Sequence, residues 1–140
     1  MEALPLIDVH SQVCERSADL VWRALIRTFG RTMTASRVVA RLLGCDPAEG
    51  SADFGSQAGQ TVPGFRIAEI EPGRRLQLRG RHRFADYRLT FLLEDGRLVA
   101  QSHAAFPGLL GSLYRTLVIR SGGHRLLTQH LLRRIAQAAR

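Results

Sequence analysis

Residues 65–106 read FRIAEIEPGRRLQLRGRHRFADYRLTFLLEDGRLVAQSHAAF, and the period of this run decides the fold. From Phe65 to Glu71 apolar and polar residues alternate, Pro72-Gly73 marks a turn, and Leu76 to Phe84 alternates again. After Ala85-Asp86, the odd positions Tyr87, Leu89, Phe91 and Leu93 form one apolar face. Asp95-Gly96 is a strong hairpin signal, Leu98 to Phe106 completes an antiparallel meander, and Pro107-Gly108 stops it. Alternation of this kind means a sheet with one face on a core and the other in water.

Working outward, residues 109–139 return to a helical period, with Leu110, Leu113, Leu117, His124, Leu127, Thr128, Leu131, Ile135 and Ala138 on one face. Gly122-Gly123 lies in the middle of this helix and marks a kink or short break, since each glycine costs about 1 kcal/mol there relative to alanine. Upstream, residues 46–64 are glycine-rich and read as a loop with at most one weak strand. Near the start, apolar Ile7, Val9 and Val13 alternate with Asp8, His10 and Gln12, the pattern of a half-buried strand. Ser17 is placed to cap a buried helix that Gly30 ends, and Thr34 to cap a second, Ala35 to Leu43. The expected architecture is α+β. A curved antiparallel sheet of about six or seven strands surrounds one long C-terminal helix, with two short helices after the first strand. There are no repeats, and residues 1–140 read as one domain.

Composition narrows the classes. A chain of 140 residues with 45% apolar residues holds a core without a disulfide framework or structural metal. Cys14 and Cys45 are far apart and have no metal-binding spacing, so they read as buried thiols. No apolar run reaches the ~20 residues of a membrane span, and the start lacks the features of a signal peptide, so a cytoplasmic protein is expected. All 20 cationic side chains of the Lys and Arg class are arginine, a bias attributed mainly to base composition of the coding DNA. Residues 1–73 hold 7 Arg against 9 acidic residues, whereas residues 74–140 hold 13 against 3. That basic half could meet phosphates or an anionic membrane surface, or form a solvated outer face.

The chain resembles the START-like, birch-pollen-allergen-like helix-grip superfamily, also called SRPBCC or polyketide cyclase/dehydrase-like. The resemblance is carried by Ser17 to Leu25, by Glu69-Ile70-Glu71-Pro72-Gly73-Arg74-Arg75-Leu76, and by Ala105-Phe106-Pro107-Gly108 before the long helix. Gly80-Arg81-His82-Arg83-Phe84 and the helix start Tyr114-Arg115-x-Leu117-Val118-Ile119 resemble an uncharacterised bacterial subgroup. The resemblance implies the helix-grip fold with a cavity between sheet and helix. It does not by itself imply one function.

Strand parity puts His82 on the inner face with Leu76, Leu78 and Phe84, and His124 faces it from the helix. Either imidazole can line a pocket, act as acid or base, or be satisfied within a core. Tyr87 and Tyr114 each add a ring with a hydroxyl that needs a partner. Two inward histidines without a third ligand make no metal site, no carboxylate is expected to face inward, and His10, His103 and His130 read as peripheral. No G-x-S-x-G, P-loop or G-x-G-x-x-G is present. The expected function is binding of a small hydrophobic ligand, lined by Leu78, His82, Phe84, Tyr87, Phe91, Tyr114, Leu117 and His124, with no catalysis, cofactor or metal. The rival readings are an aromatase/cyclase-like enzyme on a polyketide-type substrate and a basic interaction module for RNA or a protein. A second copy of the chain is a further candidate partner; nucleic acid is not expected to be one.

Overall fold

The computed structural model describes residues 4–51, 54–106, 108–120 and 122–139. Strand β1 (Leu6–Val13) is followed by α1 (Ala18–Ala35) and α2 (Arg37–Leu42), then by strands β2 (Thr61–Val62), β3 (Phe65–Glu71), β4 (Arg75–His82), β5 (Ala85–Glu94) and β6 (Arg97–Ala105). Helix α3 (Gly108–Arg115), a π-helical turn (Thr116–Arg120) and α4 (Gly123–Ala138) close the chain. The six strands form one antiparallel sheet in the order β1-β6-β5-β4-β3-β2, an α+β helix-grip arrangement. Its core joins Val21, Leu25 and Phe29 of α1 to Leu76, Leu78, Phe91 and Leu98 of the sheet and Leu132 and Ile135 of α4. Phe29 anchors it, with the rings of Phe65 and Phe91 packed edge-on at 5.3 and 5.5 Å.

Three expectations change. Helix α1 is not short: it runs 18 residues straight through Gly30. Ser17 does cap it, accepting from the Leu20 amide, but Thr34 lies inside it and donates its hydroxyl to the Gly30 carbonyl instead of starting a new helix. The C-terminal helix is split, as the glycine pair implies, with Gly122 in the left-handed region (φ 79°) capping α4. Its first half is also rotated. Leu110, Leu113 and Leu117 are 67%, 57% and 63% exposed, and Gly111, Tyr114 and Val118 face the protein. A Cβ on Gly111 would stand 2.7 Å from the Phe106 carbonyl carbon and 3.0 Å from the Phe84 carbonyl oxygen, so only glycine lets this face approach so closely.

The third change concerns β1. Asp8, His10 and Gln12 lie opposite Ser102, Ala100 and Leu98, the inward residues of β6, while Val9 and Val13 are 49% and 53% exposed. A register shift between Leu6 and Asp8 sets this parity, and it turns the polar set of β1 toward the helices.

Candidate functional site

Between the sheet and the C-terminal segments lies a cavity of about 140 Å³. Its sheet wall is Tyr87, Leu89, Phe91, Ser102 and Ala104; Tyr114, Val118 and Ile119 cover it; His124, Thr128 and Leu131 of α4 complete the side. The cavity is below the several hundred cubic ångströms that a larger ligand needs because rings fill one end. Tyr114 stacks on Phe84 at 5.4 Å and meets His82 at 4.9 Å, with Phe106 at 6.2 Å.

His82, Tyr87, Phe91, Tyr114 and His124 thus line one space. Leu78 does not: it is fully buried in the main core. Phe84 backs the cavity through Tyr114 without lining it, and Leu117 points away on the rotated face of the C-terminal segment.

Two of the lining groups are already committed. His82 Nδ1 accepts from the Phe84 amide at 3.1 Å, and burial lowers the imidazole's pKa against the opposing pull of Asp86. The Tyr87 hydroxyl donates to the Gly64 carbonyl at 2.6 Å, and burial, with Cys45 beside it, raises its pKa far above the usual phenol range. Tyr114 is shifted the same way, again by burial first.

Behind Ser102 and His124, at the opposite end, lie residues that sequence reasoning placed elsewhere. Asp8 faces inward and lies between two imidazoles, with Oδ2 3.2 Å from His10 Nε2 and Oδ1 3.5 Å from His124 Nε2. These separations allow charge attraction, but neither contact is aligned as a hydrogen bond. Asp8 Oδ1, both Nε2 atoms and Ser102 Oγ are buried and make no hydrogen bond among the described residues. Ser102, only 6% exposed, is the register partner of Asp8. Unpaired buried polar atoms are uncommon in folded proteins; of these, Ser102 and His124 line the cavity, whereas Asp8 and His10 are not among its lining residues, and Asp8 backs His124. The signal that finds them is the parity of β1, which the bulge near Ile7 conceals. Among the described residues no cluster of three or more His, Cys, Asp or Glu is arranged to hold a metal.

No family model matches the chain, and comparison with curated proteins gives no match. Solved structures share its fold. Protein CV1439 from Chromobacterium violaceum is 15% identical with a TM-score of 0.57, over 95% of this chain and 96% of that one. A conserved protein from Geobacillus kaustophilus is 15% identical with a TM-score of 0.54, over 94% and 93%. DynU16, a putative protein in the dynemicin biosynthetic locus, is 18% identical with a TM-score of 0.53; the match takes in 92% of this chain but 45% of DynU16. At these identities the likeness establishes the helix-grip fold.

Proposed function

We propose that this protein binds a small, mainly apolar molecule about one aromatic ring in size that carries a hydroxyl group. The carrying observation is that two buried polar atoms without a hydrogen bond, Ser102 Oγ and His124 Nε2, line a mainly apolar cavity of about 140 Å³, with Asp8 Oδ1 3.5 Å behind the imidazole. An engineered apolar cavity in another protein, about 150 Å³ in volume, takes up benzene, so a single ring is the matching scale. A hydroxyl can accept from one and donate to the other of Ser102 Oγ and His124 Nε2. A plain hydrocarbon leaves those groups unpaired, at a cost of roughly 1–3 kcal/mol, and a carboxylate carries a charge into a mainly apolar space.

Calorimetric titration with phenol, toluene and benzoate tests this reading. Phenol is expected to bind about tenfold or more tighter than toluene, a difference of about 1.4 kcal/mol, with benzoate weakest. Ser102→Ala should remove most of the phenol preference and leave toluene binding nearly unchanged. Toluene binding as tightly as phenol, or no probe binding at all, overturns the proposal.

A second reading draws on the His124–Asp8 pair, because an imidazole at a cavity wall with a carboxylate 3.5 Å behind it is an arrangement for moving protons. Such an enzyme would be of the aromatase/cyclase type, in keeping with the biosynthetic locus of DynU16. It requires faster exchange of the acidic C–H of a bound 1,3-diketone in deuterated buffer, lost in His124→Ala by about 10²–10⁴. The binding reading requires no such exchange.

A further inference from the structure

We propose that the outer faces of α2 and α3 form one surface that docks on an anionic lipid bilayer. The inference rests on exposure and charge, and is independent of what fills the cavity.

Along α3 and the turn after it, the packed residues Gly111, Tyr114 and Val118 recur at helical spacing. With that face fixed, Leu109 and Leu110 are 91% and 67% exposed, and Leu113, one turn on from Leu109, is 57% exposed. At ~100° per residue these three leucines fall within about a quarter to a third of the helix circumference. Helix α2 repeats the pattern, with Val38, Val39 and Leu42 at 66%, 55% and 72% exposure. Single exposed leucines are ordinary; two helices each presenting an apolar face are not.

The two helices sit at one end of the molecule because both are held to the β4–β5 turn. The Arg83 amide donates to the Leu43 carbonyl just past α2 at 3.1 Å, while Gly111 of α3 lies against the carbonyl of Phe84. Charge selects the occupant. Exposed Arg37, Arg83, Arg115 and Arg125 accompany the apolar residues, and from Gly96 to Arg140 the sequence contains no Asp or Glu. Of the nearby carboxylates, Glu49 pairs with Arg41 and Asp46 with Arg81, which leaves exposed Asp86 against the four arginines. Apolar residues flanked by arginine suit the boundary between acyl chains and anionic headgroups, where a helix lies in the plane of the interface. A second copy of this chain would bring like charges together. No described helix is long and apolar enough to cross the membrane, which agrees with a surface that lies on it.

The test is co-sedimentation of the intact chain with vesicles of phosphatidylcholine alone and of equal parts phosphatidylcholine and phosphatidylglycerol. The chain should sediment with the anionic vesicles, far less with the neutral ones, and be released as salt is raised. Leu109→Gln with Leu113→Gln changes side chains that already meet water, so circular dichroism should be unchanged while the partition coefficient falls about tenfold or more. Retention of full binding by that double variant would mean a purely electrostatic contact and would overturn the proposal. So would absence from anionic vesicles at low salt. Self-association of the chain that disappears in the same double variant would assign the face to a second copy, and selective capture of an acidic polypeptide in place of vesicles would assign it to a protein; each defeats the lipid reading.

Discussion

At His82 the hydrogen bond and the titration point the same way. Nδ1 accepts from the Phe84 amide, so the neutral ring carries its proton on Nε2, and a second proton would have to occupy the side facing that N–H. Burial disfavours the cation further, and the pKa lies below its ordinary value of 6.5. The unfolded chain therefore takes up the proton first as pH falls. The stabilisation is complete above about 6.5 and declines below it toward the lowered folded pKa. Urea melts of the natural chain and of His82→Ala across this window should show a stability gap that narrows as pH falls; a constant or widening gap contradicts the assignment. His82 was legible because its strand alternates without a bulge. Asp8 and Ser102 were not, because the parity of β1 depends on a register shift that only pairing with β6 reveals.

Glycines control the elements in opposite senses. The period of residues 65–106 identified β3 to β6 to within a few residues, since alternation is a local property of a half-buried strand. The helices were harder. Gly30 reads as a stop, yet α1 runs on past it to Ala35 with Met33 packed against the core, so burial outweighs about 1 kcal/mol of propensity. In α3 and the π-helical turn after it, leucines at Leu110, Leu113 and Leu117 imply an inward face, but the close approach that Gly111 permits rotates them outward. The two glycines therefore predict opposite responses. A Cβ at Gly30 meets only the Phe54 ring at 3.6 Å, an ordinary contact, so Gly30→Ala should stabilise the protein by about 0.5–1 kcal/mol. Gly111→Ala drives a methyl into the backbone at Phe106 and should destabilise by roughly 1–3 kcal/mol. Thermal melts of the two variants decide the matter, and equal shifts would show that Gly111 does not fix the phase of α3.

The whole molecule carries a formal charge of +8, and part of it is concentrated in a single row across the sheet. Arg66 pairs in register with Arg79, Arg79 with Arg88, and Arg88 with His103, placing four basic residues side by side on the outward face. Directly opposed like charges on neighbouring strands destabilise a sheet. The buried Nε atoms of Arg79 and Arg88 have no hydrogen-bond partner among the described residues, and burial followed by Arg88 holds His103 below its usual pKa. Net charge was readable from composition, but its alignment into a row required the strand register. Repulsion between exposed charges is screened once the Debye length falls from about 30 Å at 0.01 M to about 10 Å at 0.1 M salt. Stability should therefore rise over that interval, before any general salting-out effect, and Arg79→Thr should raise it at low salt and flatten the dependence, because it removes the middle charge of the row and leaves a residue suited to a strand. A gain of about 0.5–1 kcal/mol is the scale of the cross-strand interactions relieved. Urea midpoints for both proteins at the two salt concentrations give the answer. If salt lowers the midpoint, or if Arg79→Thr loses stability at low salt, the row is held by attractive partners and the like-charge account of this face is wrong.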